Sequence, residues 1–131
     1  MLNRRHLLGA LAMSAALPLG SIASAMDGTA FDQKAFEAAQ AAGKPILIEV
    51  TAPWCPTCKA QAPILSRLKG EPRFRQLVSF DIDFDSQKDL LRKFNVRMQS
   101  TLIVFKGKLE AGRSTGDTDA GSIEALLAKS I

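Results

Sequence analysis

The stretch Trp54-Cys55-Pro56-Thr57-Cys58 contains both cysteines of this 131-residue chain. It follows the short apolar run PILIEV at 45–50, which predicts a buried strand, and it opens a segment that is predicted to be a helix. The spacing of the cysteines fits one helical turn, so a bridge between the sulfurs would leave the helix intact. The first sulfur would lie at the helix N-terminus, where unpaired N–H groups and the helix dipole lower the pKa of a thiol. This arrangement predicts thiol–disulfide exchange.

The segments on either side of the cysteines extend this pattern. The pair lies within APWCPTCK at 52–59, APIL follows one turn later at 62–65, and FNVR and TLIVFKG occur at 94–97 and 101–107. Together these segments resemble the active-site segment, the second active-site loop and the following strand of thioredoxin-like proteins. The resemblance spans roughly residues 31–127. It implies a thioredoxin-like α/β fold and the activity of a protein disulfide oxidoreductase.

The periodicity of the chain predicts the same fold class. The order helix, strand, helix, strand, helix, strand, strand, helix suits a central mixed β-sheet of about four strands with helices on both faces. The first strand of many relatives would be short or absent here, at 29–31 at most. The main strands are predicted at 46–51, 78–85, 101–105 and 109–114, and the helices are expected to begin near Asp32, Cys55, Asp85 or Ser86, and Asp117 or Asp119.

Apolar and polar residues alternate strictly over 78–85, which predicts a strand with one buried face. Asp81, Asp83 and Asp85 fall on the other face. We interpret this row as a solvated face and not as a metal site, because side chains spread along one strand would need further ligands from elsewhere to enclose a cation.

The N-terminal residues 1–25 are predicted to be a cleaved export signal, which leaves a single domain at 26–131. Arg4 and Arg5 supply the positive charge, an apolar stretch at 7–19 is too short to span a membrane, and Ala-Ser-Ala at 23–25 provides the small residues of a cleavage site. The sequence NRRHLL at 3–8 also resembles a twin-arginine signal, so the twin-arginine and general secretory routes both stay open. We expect a periplasmic protein, in a compartment where a dithiol must receive or pass on electrons.

The composition excludes several classes of function. The net charge is +4, and two of the basic residues fall in the predicted signal, so nothing indicates binding to nucleic acid or to an anionic membrane. The single histidine, His6, also falls in the signal, which excludes Cys–His catalysis. Two cysteines are too few for a four-cysteine zinc site within one chain. We expect a monomer without a cofactor.

Each residue of the central motif has a predicted role. Cys55 is expected to be the attacking thiolate and the more exposed sulfur, and Cys58 the resolving thiol, so that the pair alternates between dithiol and disulfide. Trp54, Pro56 and Thr57 are expected to contact the substrate. Pro56 suits the first helical turn, and the resemblance implies that Pro56 and Thr57 help to set the reduction potential. The alternatives are an inert structural bridge, and a Trp54 that packs in the core.

Glu49 lies six residues before Cys55 on the predicted core strand. The resemblance implies a buried carboxylate at this position that takes a proton from the resolving cysteine, here Cys58. A carboxyl group in an apolar strand is expected to have a raised pKa, which suits a base that works near neutral pH. The alternative is a solvated glutamate at the edge of the sheet.

The chain departs from the family opposite the cysteines. The family places a cis-proline immediately before the residue that matches Thr101, whereas this chain has Ser100 preceded by Gln99, and its last proline is Pro72. A cis bond before a non-proline residue costs about 2.5–4 kcal/mol, so the Gln99–Ser100 bond is expected to be trans. In relatives this loop pairs with the substrate backbone and keeps metal off the sulfurs. Gln99, Ser100 and Thr101 are therefore predicted to bind substrate, while Ser100 puts both family properties in question.

These residues leave three functions open. The favoured one is a periplasmic thiol–disulfide oxidoreductase that acts on cysteines of exported proteins, in the reducing direction and fed by a membrane electron donor. The alternative is a metal carrier that binds Cu(I), Zn or an iron–sulfur cluster through the same two thiolates, with a second chain in a dimer supplying further ligands. The third is an interaction module without redox activity.

Overall fold

The computed structural model describes residues 28–131, so the predicted export signal at 1–25 lies outside the described residues. In chain order the elements are β1 (Thr29–Ala30), α1 (Gln33–Ala41), β2 (Pro45–Thr51), α2 (Pro56–Lys69), a 3-10 turn (Pro72–Phe74), β3 (Val78–Asp83), α3 (Lys88–Lys93), β4 (Thr101–Lys106), β5 (Leu109–Thr115) and α4 (Ala120–Ala128).

Within the described residues these strands form one mixed sheet in the order β1-β3-β2-β4-β5. The strands β1, β3 and β2 run parallel, whereas β4 is antiparallel to both β2 and β5. The predicted α/β class with a mixed sheet is confirmed, with five strands where about four were expected. The extra strand is the two-residue β1, at the position where the sequence predicted a short strand at most.

Local signals explain most of the boundaries. The Asp32 carboxylate accepts a hydrogen bond from the Ala35 amide and caps α1 as expected. Of the two candidates for the start of α4, Asp117 and Asp119, it is Asp119 whose carboxylate caps the helix, by accepting a hydrogen bond from the Ser122 amide. The residue at the N-cap of α3 is Gln87, so the predicted cap at Ser86 or Asp85 is wrong.

The third strand is shorter than the alternation predicted, because it ends at Asp83 and not at 85. The Asp83 carboxylate accepts hydrogen bonds from the Asp85 amide at 2.9 Å and from the Ser86 hydroxyl at 3.0 Å. These bonds fold the chain into a turn directly after β3. Alternation of residue types continues into this turn, and so it could not indicate where the strand stops.

The two faces of the sheet bury separate clusters. The α1/α3 face holds the side chains at even positions of β2 and β3, with Phe36 from α1 and Leu91 from α3. The α2/α4 face holds Leu47, Leu102 and Val104, with leucines of α2 and α4. The predicted arrangement of helices on both faces is therefore confirmed. No helix found in residues 28–131 is long and apolar enough to cross a membrane.

Candidate active site

The cysteine pair occupies the junction between β2 and α2. Cys55 is the N-cap of α2, with extended backbone, and its Sγ accepts a hydrogen bond from the Cys58 amide at 3.1 Å. Pro56 takes the first helical position, where its missing N–H leaves no bond unmade. The structure joins Cys55 and Cys58 in a disulfide across one helical turn, with their Cα atoms 5.3 Å apart.

The exposure of the two cysteines differs from the expectation. Cys55 is completely buried and Cys58 is 8% exposed, so the prediction that Cys55 is the more exposed sulfur is wrong for the disulfide form. The Cys55 sulfur is turned inward to bond with Cys58 and to accept the Cys58 amide, and both cysteines pack with Ala52 and Phe84. Sequence position placed Cys55 at the helix end, but the direction of its side chain decides its burial.

Trp54 lies at the surface beside the disulfide, with 55% of its area exposed, and is not a core residue. Its indole Nε1 donates a hydrogen bond to Asp85 Oδ2 at 2.8 Å, and its ring meets Phe84 edge to face at 6.5 Å. Hydrogen bonds from the Asp85 amide and then the Ser86 hydroxyl lower the pKa of Asp83 below its ordinary value of 3.8. The turn after β3 is thus held by the Asp83 carboxylate and in turn holds Trp54. Pro56 is exposed and Thr57 half-buried next to it.

Glu49 is buried on the α2/α4 face and is neither solvated nor isolated in an apolar strand. Its Oε2 accepts hydrogen bonds from Lys69 Nζ at 2.5 Å and from Ser79 Oγ at 2.7 Å. The Glu49 and Lys69 side chains are only 10% and 15% exposed, so this is a largely buried ion pair. Lys69 comes from the end of α2, whereas the cysteines lie at its beginning.

A cavity of about 490 Å³ connects Glu49 with the disulfide. Cys58 lines it but Cys55 does not, and Lys59 and Ala62 of α2 form part of its wall. Asp81 and Asp83 also line this cavity. Of the aspartate row interpreted as a solvated face, Asp85 is exposed, whereas Asp81 and Asp83 are half-buried.

Residues 98–101, which we call the 98–101 loop, lie close to Cys58 because both contact the carbonyl oxygen of Val50. The Ser100 amide donates to the Val50 carbonyl oxygen at 2.8 Å, and Cys58 Sγ lies 4.0 Å from the same oxygen. No peptide bond between residues 28 and 131 is cis, so the expected trans bond before Ser100 is confirmed. Ser100 instead adopts the left-handed conformation with φ +59°, which is unusual for a residue other than glycine.

Three polar residues near the site were not predicted from the sequence. Gln61 is buried at three residues after Cys58, and its Nε2 donates to the Ser100 and Asp117 carbonyl oxygens. A glutamine on the stripe Cys58, Gln61, Leu65 and Leu68 is a signal that could have been noticed, because the other members are apolar. Lys69 and Ser79 contact Glu49 from 20 and 30 residues away in sequence, and no local pattern indicates such pairs.

The described residues offer little to the metal-carrier alternative. Within 28–131 no three or more His, Cys, Asp and Glu side chains are grouped so that they could hold a metal ion. The carboxylates of Glu49, Asp81 and Asp83 line the same cavity as Cys58 but do not form such a group with it. The geometry favours a pair of sulfurs that exchange electrons.

Comparison with known proteins gives consistent matches over the described domain. Residues 27–129 match the family model Thioredoxin. The chain is 34% identical over 97 residues to the thioredoxin of Echinococcus granulosus, which covers 74% of this chain and 89% of that protein. It is 32% identical to thioredoxin Asp f 29 of Aspergillus fumigatus, covering 73% and 87% respectively. The crystal structure of Trxlp from Edwardsiella tarda EIB202 superposes with a TM-score of 0.73 and 40% identity, covering 76% of this chain and 96% of that one.

Proposed function

Because this chain belongs to the thioredoxin family and is a thioredoxin-type thiol–disulfide oxidoreductase, we propose that it reduces disulfides of exported proteins in the periplasm. The observation that carries this proposal is the position of Cys55 at the N-cap of α2 with Cys58 one turn further in. An N-cap sulfur that already accepts a backbone N–H is stabilised as a thiolate once the disulfide is opened.

The exchange proceeds in two steps. The Cys55 thiolate attacks one sulfur of a partner disulfide, which forms a mixed disulfide and releases the partner's other sulfur as a thiolate. The Cys58 thiolate then attacks the Cys55 sulfur, which forms the Cys55–Cys58 disulfide and releases the second partner thiolate. Two electrons pass to the partner, and a membrane electron donor returns the pair to the dithiol.

Glu49 accepts the proton that Cys58 must lose before the second step. Cys58 and Glu49 line the same cavity, so a proton can pass between them without crossing the packed core. Lys69 and Ser79 hold the Glu49 carboxylate in place through its Oε2. A positioned general base of this kind typically contributes about 10²- to 10⁴-fold to the rate.

The substrate is held by groups around the disulfide. Trp54 and Met98 are more than half exposed and give an extended partner apolar contact on two sides. Pro56 and Thr57 lie at the surface next to the sulfurs. The backbone N–H of Gln99 has no acceptor within residues 28–131 and can donate to the partner backbone. Hydrogen bonds of the Ser100 and Thr101 hydroxyls hold the loop that presents this N–H.

The periplasmic location is supported by the N-terminal sequence. Arg4, Arg5, the apolar stretch at 7–19 and the small residues at 23–25 form the pattern of an export signal. Expression of the full chain, followed by fractionation and N-terminal sequencing, tests this point. We expect a periplasmic product that begins at Met26, and a full-length product in the cytoplasm would contradict the location. Replacing Arg4 and Arg5 by lysine separates the routes, since it blocks only twin-arginine export.

Trapping tests the function itself. A Cys58→Ser variant retains the attacking thiol and loses the resolving one, so it should accumulate mixed disulfides between Cys55 and its partners in the host. The matched control is Cys55→Ser, which should trap far less. Exported proteins among the partners support the proposal, and their redox state in the absence of this chain gives the direction. Equal trapping by both variants, or none by either, would contradict it.

A further inference from the structure

We infer that Gln61 is a positioning residue for the 98–101 loop. It holds the loop in the conformation that presents the backbone N–H of Gln99 to a polypeptide substrate. In the resemblance to relatives, a proline ring constrains this loop. Ser100 has no such ring, so hydrogen bonds constrain the loop instead. Gln61 of α2 makes two of these bonds, one to the loop and one to the turn before α4. The inference rests on the proposed function, because it concerns how that same site holds its substrate.

Gln61 uses both donors of its side-chain amide. The residue is 2% exposed, and its Nε2 donates to the Ser100 carbonyl oxygen at 3.2 Å and to the Asp117 carbonyl oxygen at 2.8 Å. A primary amide carries two N–H groups, so these bonds exhaust its donor capacity. Gln61 therefore connects the helix of the cysteines with the loop before β4 and with the turn before α4.

The Ser100 backbone is held from three directions. Its amide donates to the Val50 carbonyl of β2 at 2.8 Å, and its carbonyl oxygen accepts from the Gly116 amide at 3.0 Å in addition to Gln61. A serine at φ +59° is in a conformation that L-residues avoid, and it persists only where the surroundings enforce it. Of these three bonds, the one from Gln61 is made by a side chain and can be removed by substitution.

The direction of the Gln99 amide follows from the same constraint. The Thr101 hydroxyl donates to the Met98 carbonyl oxygen at 2.8 Å. In a trans peptide the carbonyl and the following N–H point in opposite directions, so this bond turns the Gln99 N–H away from Thr101. Within the described part of the chain that N–H has no acceptor. An extended polypeptide can supply one, whereas a small aromatic disulfide has no backbone to do so.

The test compares two disulfides as substrates for Gln61→Met, which keeps the length of the side chain and removes both donors. With dithiothreitol as electron source, we expect kcat/KM for insulin to fall about tenfold, mainly through KM, since tenfold corresponds to about one lost hydrogen bond. The rate with dithiobis(nitrobenzoate) should fall less than twofold. The matched control is Gln76→Met, because Gln76 is exposed. Both of its rates should stay within twofold of the parent.

Gln61→Glu provides a second test that does not depend on the folding of the first variant. The protonated acid keeps one donor, whereas the carboxylate faces two carbonyl oxygens and repels both. The ratio of the insulin rate to the small-disulfide rate should therefore rise as the pH falls, while the parent ratio stays flat because the same exchange groups act in both assays. The nearby Asp117 carboxylate accepts hydrogen bonds from the Asp119 amide and the Ser122 hydroxyl. Because it is present in both the parent and Gln61→Glu, it does not account for a difference between them.

The outcomes separate the two proposals. Equal losses with both substrates, or no loss with insulin, would overturn the role of Gln61 while leaving the oxidoreductase intact. A pH-independent ratio in Gln61→Glu would overturn it as well. If the parent protein reduces neither substrate, the proposed function itself fails.

Discussion

The two faces of the central sheet bury different kinds of side chain. On the α1/α3 face five phenylalanines form one cluster, with ring centroids 5.4 to 6.3 Å apart among the described residues: Phe31, Phe36, Phe80, Phe94 and Phe105. The α2/α4 face buries an aliphatic cluster and, next to the disulfide, the side chains of Glu49, Gln61 and Cys58. Glu49 and Gln61 are hydrogen-bonded to partners there, and Cys58 is bonded to Cys55.

This difference separates stability from chemistry. The aromatic layer gains free energy mainly from apolar burial and needs no hydrogen-bond partners. The α2/α4 face carries, besides its aliphatic cluster, a cavity, an ion pair and a buried amide beside the cysteines. Substitutions on the first face should change the free energy of unfolding, whereas those on the second should change the exchange reaction more than the stability.

The largest effect on stability is expected from Phe36→Ala on the α1/α3 face. Phe36 is 4% exposed and contacts four other rings, so its truncation should cost about 3–5 kcal/mol in the free energy of unfolding. Urea unfolding measures this loss, and Leu109→Ala, at a side chain that is 68% exposed, is the control with a change within about 0.5 kcal/mol. The folded fraction should retain its rate of exchange. A specific loss of that rate would erase the distinction between the faces.

Restoring the family's proline should be the next most damaging change. Ser100→Pro removes the amide that donates to Val50 and requires φ near −65° where the chain has +59°, so we expect a loss of about 3 kcal/mol. Ser100→Gly keeps the amide and tolerates positive φ, so its stability should stay within about 1 kcal/mol of the parent. Calorimetry of the two variants measures the difference. A stabilised proline variant would mean that the observed loop conformation is not required.

Glu49→Gln should affect the reaction more than the fold. Loss of the proton acceptor should slow the resolution of a mixed disulfide by about 10²-fold, measured by quenched-flow release of a partner from Cys55. Unfolding should become easier by about 2 kcal/mol, less than for a fully buried pair, because Glu49 and Lys69 keep 10% and 15% exposure. Glu37→Gln on the exposed side of α1 is the control. Unchanged resolution would remove Glu49 from the mechanism.

The smallest effect concerns pH. The pKa of Asp83 is lowered in the fold, so its carboxylate stabilises the fold above its ordinary value of 3.8 and this contribution is lost as the pH falls through the lowered folded value. The parent should be more stable to urea than Asp83→Asn at about pH 6, and the difference should vanish near pH 2. The fluorescence of Trp54, which Asp85 holds next to this turn, reports the same loss. A difference that persists in acid would assign another role to Asp83.

The features that could be predicted from the sequence are those that depend on residues close together in the chain. The sequence predicted the helix start at the cysteines, a cap at Asp32, a last helix starting at Asp117 or Asp119, and the mixed sheet, because each follows from local residue types and their period. It could not predict the burial of Cys55, which depends on the direction of one side chain, or the end of β3 at Asp83. The contacts of Lys69 with Glu49 and of Gln61 with Ser100 join distant segments, and only the folded chain brings them together.

The measurement that tests the central claim most directly is the rate of alkylation of each cysteine in the reduced protein. Iodoacetamide at limiting concentration over a range of pH, followed by peptide mass spectrometry, gives separate rates for the two thiols. Because the Cys55 sulfur caps α2, it should be modified first, and its rate should rise at a lower pH than that of Cys58. Faster modification of Cys58, which is the more exposed residue in the disulfide form, would contradict the assignment of Cys55 as the attacking thiol.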